Sequence, residues 1–165
     1  MLYLKEYIEE MIKDAASVAI MGVGSELCAD DAAGMMLVGR LEQTVGDLPQ
    51  VLLLAGSTAP ENFTGEIKKF APGRLFIIDA AHLKEEPGAI GIVDPTDIGG
   101  IDFSTHTLPL PVMVDYLKAE SGCEVSVLGI QPQNTKMFAP VCPQVASAVE
   151  EITQTFTECL RAKYL

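Results

Sequence analysis

This 165-residue sequence has no tryptophan, only two histidines, and few basic side chains. Eleven Lys and Arg stand against 23 Asp and Glu, which gives a formal net charge of −12 at pH 7. Nucleic-acid-binding proteins usually carry the opposite excess, and an anionic membrane surface would repel this chain. We therefore expect neither nucleic acid nor a membrane among its partners.

Long apolar runs and paired cysteines are also missing. No stretch of 18 apolar residues occurs, and the first 20 residues lack a basic segment followed by a long apolar one. The four cysteines form no C-x-x-C pair, which excludes a zinc knuckle and argues against a disulfide framework. We expect one soluble domain over residues 1–165 that acts in the cytoplasm as a monomer.

Apolar runs alternate with helical patterns along the chain. Strands are predicted at residues 17–22, 51–55, 74–79, 89–93 and 124–130. Helices are predicted at residues 2–15, 32–44, 62–70 and 110–120 and in a C-terminal segment through residues 145–160. This alternation predicts an α/β three-layer sandwich, with a twisted, mostly parallel β-sheet and helices on both faces. Residues 1–15 are a lead-in helix before a core of about residues 17–152.

The segment 17–34 carries the clearest functional signal. A strand pattern stops at Gly22-Val23-Gly24, and the loop then delivers Asp30 and Asp31 to the start of a helical pattern. Open α/β folds bind their ligands at the carboxyl edge of the sheet. A phosphate loop needs a third glycine and an uncluttered helix N-terminus, whereas two acids repel anions. The segment therefore predicts a metal site.

Polar residues follow two further predicted strands. Asp79 ends the third strand, and Ser104-Thr105-His106 precedes the helix at residue 110. Carboxylates with an imidazole can hold nickel, zinc, iron or manganese and leave positions open for another ligand. The sequence has two histidines, His82 and His106, and spacing alone does not show which of them supplies the imidazole ligand. Asp31 could instead cap the following helix.

Two other readings bear on this loop. Cys28 is either a ligand or a small buried residue.

Phospho-acceptor receiver domains also place paired acids after a strand, with an aspartate ending another strand. They carry a lysine after the final strand, where this chain has Gly129-Ile130-Gln131-Pro132, and here the acids lie about nine residues beyond their strand. The receiver reading is therefore disfavoured.

Six motifs, in order over about residues 17–152, resemble the hydrogenase maturation proteases. They are G-V-G-S-x-L-x-x-D-D (22–31), G-S-T-A-P-E-N (56–62), R-L-F-I-I-D-A (74–80), D-P (94–95), S-T-H-T-L-P-L (104–110) and L-G-I-Q-P (128–132). The A-P-E-N and G-I-Q-P elements are most similar to the branch that serves formate-hydrogenlyase-type hydrogenases and archaeal relatives.

The resemblance implies an endopeptidase that removes the C-terminal extension of the [NiFe]-hydrogenase large-subunit precursor. Nickel is then supplied by the substrate and recognised by the protease, and another divalent metal could replace it in vitro. The family's metal-binding and catalytic positions fall on Asp31, Asp79 and His106, while His82 lies where the motif is free. Water would be activated by the metal or by a carboxylate acting as general base.

Two departures from the family pattern leave an alternative open. Ser25 stands where the family usually has asparagine, and Asp31-Ala32-Ala33 stands where it has a glycine after the acids. Alanine disfavours the positive φ that glycine adopts freely. A chain with an altered loop could be a nickel-binding assembly factor for hydrogenase that holds the precursor without cutting it.

Overall fold

The computed structural model describes residues 2–93 and 109–165 of the chain. In this part, five strands form one sheet in the order β2-β1-β3-β5-β4. The strands are β1 (Val18–Val23), β2 (Val51–Ser57), β3 (Arg74–Ala80), β4 (Ile90–Val93) and β5 (Glu124–Ile130). All neighbouring pairs are parallel except β4 with β5, which is antiparallel at one edge. The predicted mostly parallel sheet is confirmed.

Five α-helices and two short 3₁₀ helices precede, connect and follow these strands within the described residues. The α-helices are α1 (Leu2–Ile12), α2 (Ala33–Val45), α3 (Thr64–Phe70), α4 (Leu110–Ser121) and α5 (Pro143–Tyr164). The 3₁₀ helices are Ala29–Ala32, directly before α2, and Pro60–Phe63, directly before α3. The predicted first helix extended too far, because the chain turns where the Ala15 N–H bonds the Ile12 carbonyl.

Side chains of β3 alternate between two apolar cores. Phe76 and Ile78 pack with α1, α2 and α5, whereas Leu75 and Ile77 pack with α3 and α4. A strand buried on both faces is apolar along its buried length, as this one is from Leu75 to Ile78. Helices therefore cover both faces of the sheet, and the predicted three-layer sandwich is confirmed.

Four strands end at one edge of the sheet, and this carboxyl edge carries the candidate site. Val23 at the end of β1 pairs with Ser57, and Asp79 near the end of β3 pairs with Gly129. Because side chains alternate along a strand, Asp79 shares the face of Ile77, on which α3 and α4 pack. None of the helices in the described ranges is long and apolar enough to span a bilayer.

Candidate active site

Asp31 lies in the 3₁₀ helix that follows β1, and it is 3% exposed. Its Oδ2 accepts a hydrogen bond of 2.8 Å from the backbone N–H of Ser25. Its Oδ1 is buried and has no hydrogen-bond partner among the described residues. The alternative in which Asp31 caps the next helix is wrong, because its side chain accepts the Ser25 N–H, and α2, with Ala32 at its N-cap, has no side-chain cap.

We call the 3₁₀ helix Ala29–Ala32, which carries Asp30 and Asp31, the acid turn. Gly24 fixes its position by close backbone packing. A β-carbon at Gly24 would stand 1.9 Å from the carbonyl oxygen of Asp31, and its φ is +127°. Both facts require glycine at this position. The Gly24 N–H also donates to the Ser57 carbonyl at the end of β2. The loop is therefore held between Asp31 and the neighbouring strand.

Gly34, in the first turn of α2, brings the acid turn against β3. A β-carbon on Gly34 would lie 2.3 Å from the carbonyl oxygen of Ile78 and 2.6 Å from that of Val23. The 3₁₀ helix that carries Asp31 packs against β3, and the fully buried Asp79 directly follows Ile78. The structure thus brings two of the predicted site residues, Asp31 and Asp79, to one edge of the sheet.

The two departures from the family pattern leave this geometry intact. Ala32 has φ −74° and Ala33 has φ −55°, so both residues are right-handed and need no glycine. Ser25 contacts Asp31 through its backbone N–H, which any residue at this position except proline can supply. The Ser25 hydroxyl accepts the Leu27 N–H at 3.3 Å and supports the turn locally.

Asp30 differs sharply from its neighbour, because its carboxylate is saturated with hydrogen bonds. It accepts backbone N–H groups from Gln133 at 2.8 Å, Asn134 at 3.0 Å and Cys142 at 2.7 Å. Burial raises the pKa of Asp30, but the hydrogen bonds from Cys142, Asn134 and Gln133 outweigh burial and lower the pKa overall. Asp30 therefore fastens the segment after β5 to the acid turn.

The third predicted ligand, His106, lies outside the described residues, as do Ser104 and Thr105. Pro109 is the N-cap of α4, whose buried residues pack on the Asp79 face of the sheet. Within residues 2–93 and 109–165, no three His, Cys, Asp or Glu side chains are grouped closely enough to hold a metal. The set of Asp31, Asp79 and His106 therefore stays a prediction.

The other residues considered as ligands have ordinary surroundings. His82 is exposed in the loop after β3. Cys28 is partly exposed, and its carbonyl accepts the Asp31 N–H at 3.0 Å. Cys28 thus contributes to the turn through its backbone.

Sequence reasoning missed Glu61, in the 3₁₀ helix that follows β2. Its Oε2 is buried and has no hydrogen-bond partner among the described residues. Glu61 is part of the motif A-P-E-N, but an acid in a first helical turn is ordinarily explained by its favourable interaction with the helix dipole. A second buried, unpaired carboxylate oxygen thus follows a parallel strand at this edge, and it can receive a cation or hydrogen-bond donor.

Comparison with known proteins agrees with this architecture. The HycI family model, hydrogenase maturation protease, matches residues 35–159. Hydrogenase 3 maturation protease of Escherichia coli K12 is 35% identical over 136 residues, which cover 82% of this chain and 85% of that protein.

Solved structures show the same likeness over most of the chain. The [NiFe] hydrogenase maturation protease HycI of Thermococcus kodakarensis superposes with a TM-score of 0.87 at 30% identity, covering 94% of this chain and 99% of its own. The hydrogenase maturating endopeptidase HybD of E. coli gives 0.70 at 25% identity, covering 89% and 93%. This chain therefore belongs to the hydrogenase maturation protease family and is a peptidase.

Proposed function

We propose that this chain removes the C-terminal extension of a [NiFe]-hydrogenase large-subunit precursor and uses the substrate's nickel to recognise it. The observation that carries the proposal is the buried Oδ1 of Asp31, which has no hydrogen-bond partner among the described residues. The comparisons support the substrate class through the names of the relatives. Nickel is part of the substrate here, not a resident cofactor.

A buried carboxylate with one oxygen that lacks a partner among the described residues gives a physical basis for selectivity. Burying a charge without a partner costs several kcal/mol, and a cation brought by the substrate supplies that partner. A precursor without nickel leaves the cost in place. Contacts that loaded and empty precursors share cannot discriminate between them, because equal affinity shifts no equilibrium. The metal contact is therefore the check on whether nickel insertion is complete.

The residues proposed to contact nickel are Asp31, Asp79 and His106. They come from three separate segments, so they can approach the metal from different sides while the substrate's own cysteines hold it. Two routes to hydrolysis fit such a site: the metal polarises the scissile carbonyl, or a carboxylate accepts a proton from the attacking water. Neither route requires a nucleophilic side chain from the protease.

The alternative of a non-cleaving assembly factor loses its support. The same three ligands could serve such a factor, but the departure that allowed it, alanine in place of glycine after the acids, does not alter the loop, because Ala32 and Ala33 are both right-handed in a turn that needs no glycine. Cytoplasmic action and a monomeric state remain proposals made from the sequence.

A cleavage assay with two forms of one precursor tests the proposal. The large subunit is prepared with and without nickel, incubated with this chain, and followed by loss of its C-terminal tail on a gel. We expect cutting of the loaded form only, and nickel added to the protease before the empty precursor should not replace it. Equal cutting of both forms would contradict nickel recognition, and no cutting of either would contradict the protease assignment for this substrate.

A further inference from the structure

Three large apolar side chains are exposed beside the acid turn. Leu27 is 58% exposed, Met137 is 63% exposed and Phe138 is 79% exposed. The Phe138 N–H donates to the Leu27 carbonyl at 2.7 Å, so the two loops that carry these residues meet. We call Leu27, Met137 and Phe138 the apolar platform. Contiguous exposed apolar groups mark interaction sites more often than isolated ones do.

The platform is fastened to the turn that carries Asp31. Asp30 accepts the N–H groups of Asn134 and Cys142, which lie on either side of Met137 and Phe138 in the chain. The Asp30 N–H in turn donates to the Asn134 carbonyl at 3.0 Å. Because Asp30 and Asp31 are consecutive residues of one 3₁₀ helix, the platform and the candidate metal contact are held by the same turn.

Backbone strain at Phe138 argues that its exposure serves binding. Phe138 has φ +64°, a left-handed conformation that is uncommon for a bulky residue. Glycine or asparagine would fit this position better and would not expose an aromatic ring. Strained residues persist where surrounding contacts enforce them, and they concentrate at functional sites. Here the Leu27 carbonyl and the Asp30 carboxylate supply those contacts.

We infer that the apolar platform docks apolar surface of the large-subunit precursor next to its C-terminal extension. This inference rests on the proposed function, since a substrate that brings a metal to Asp31 must lie against the same turn. A second copy of this chain fits less well, because two molecules of net charge −12 repel each other. The platform then supplies binding that orients the precursor, and Asp31 supplies the selectivity for nickel.

A double variant, Met137→Ser with Phe138→Asn, removes two of the three apolar side chains of the platform and keeps the loop. Asparagine tolerates a positive φ, so the backbone at 138 should be retained. The matched control is Leu165→Ser. Leu165 is 82% exposed and follows Tyr164, whose hydroxyl donates to the Ala15 carbonyl at the opposite end of β1. Thermal unfolding of each variant establishes that it is folded.

Cleavage kinetics with the nickel-loaded precursor test whether the apolar platform contributes to substrate binding. We expect the double variant to raise KM about tenfold or more, with kcat within about twofold, because apolar contact area is lost from substrate binding alone. Leu165→Ser should match the parent. An unchanged KM, or a fall in kcat alone, would overturn the inference.

Two further measurements separate this inference from the proposed function. Biolayer interferometry should show loaded precursor binding the double variant about tenfold more weakly than the parent, whether or not either protein cuts it. Equal binding would overturn the inference, whereas binding without any cleavage would count against the proposed function alone. Light scattering should give a monomer for the parent; a dimer that the double variant dissociates would assign the platform to self-association.

Discussion

The carboxylate of Asp30 accepts a hydrogen bond of 2.7 Å from the backbone N–H of Cys142, a residue 112 positions further along the chain. Cys142 is the N-cap of α5, so this contact joins the turn after β1 to the start of the last helix. Asp31, the next residue, keeps one buried oxygen without a hydrogen-bond partner among the described residues. The two adjacent acids therefore differ: all three hydrogen bonds of the Asp30 carboxylate hold the turn, whereas Asp31 keeps the oxygen that we propose to contact the substrate's metal.

Asp30→Asn should destabilise the fold by about 3 kcal/mol at pH 6, because an amide cannot satisfy three backbone donors as a carboxylate does. Since hydrogen bonding lowers the pKa of Asp30 below its usual 3.8, its stabilisation is complete above that pH. It is lost as the pH falls through the lowered value. Urea unfolding from pH 6 to pH 2 should show the parent and variant curves converging in acid.

An exposed aspartate provides the control for this pH series. Asp14, in the turn before β1, is exposed. Asp14→Asn should change the unfolding free energy by less than about 0.5 kcal/mol at pH 6. A constant gap between the parent and Asp30→Asn at every pH would contradict the assignment of the stabilisation to an ionised Asp30.

Two glycine-to-alanine changes in neighbouring elements should have opposite effects. Gly24→Ala places a β-carbon 1.9 Å from the Asp31 carbonyl at a φ of +127°, and we expect a loss of about 3 kcal/mol or more in unfolding free energy. Gly39 lies within α2, where a β-carbon meets nothing within 4 Å. Gly39→Ala should therefore stabilise the helix by about 0.5–1 kcal/mol. Denaturant unfolding measures both, and a neutral Gly24→Ala would contradict the close packing.

The placement of Asp31 and Asp79 was predictable because it depends on local sequence. A strand pattern, a glycine turn and a following helix put Asp31 at the carboxyl edge of β1, and Asp79 is the sixth residue of β3. The parallel order of these strands then brings the two segments together. Both predictions depend on patterns of apolar residues within a few positions of Asp31 and Asp79 in the sequence.

Contacts between segments far apart in the sequence could not be predicted from these local patterns. The partners of Asp30 lie 103 to 112 residues away, and no periodic pattern in residues 133–142 indicates them. Phe138 has a positive φ that its residue type argues against, so its exposure could not be predicted either. The strand at Ile90–Val93 was predicted, but its antiparallel orientation is a property of its pairing with β5, which its own sequence does not specify.

Asp31→Asn should abolish cleavage without weakening the fold. The amide oxygen can still accept the Ser25 N–H, and a neutral NH₂ group then takes the position of Oδ1, so the cost of burying a charge at an oxygen without a partner is removed. We expect the unfolding free energy to stay the same or rise by about 1 kcal/mol, while cleavage of loaded precursor is lost. Paired urea unfolding and cleavage assays measure the two effects.

The other two proposed metal-contacting residues, Asp79 and His106, can be tested with His82 as the control. Asp79→Ala and His106→Ala should also abolish cleavage, whereas His82→Ala, which changes an exposed loop residue, should retain it. Loss of cleavage in His82→Ala together with an active His106→Ala would reverse the assignment of the histidine.

The isolated protein should bind nickel only weakly. Its proposed ligands are two carboxylates and one imidazole, and the remaining ligands belong to the substrate. A closed structural zinc site reaches roughly 10–16 kcal/mol of apparent binding free energy, and we expect titration calorimetry at pH 7 to give well under that value for nickel, zinc or manganese. Asp31→Asn should weaken the binding further. Copurification of stoichiometric metal that resists a chelator would contradict this expectation, because a protease that already holds its own metal has no need of the substrate's nickel to complete its site.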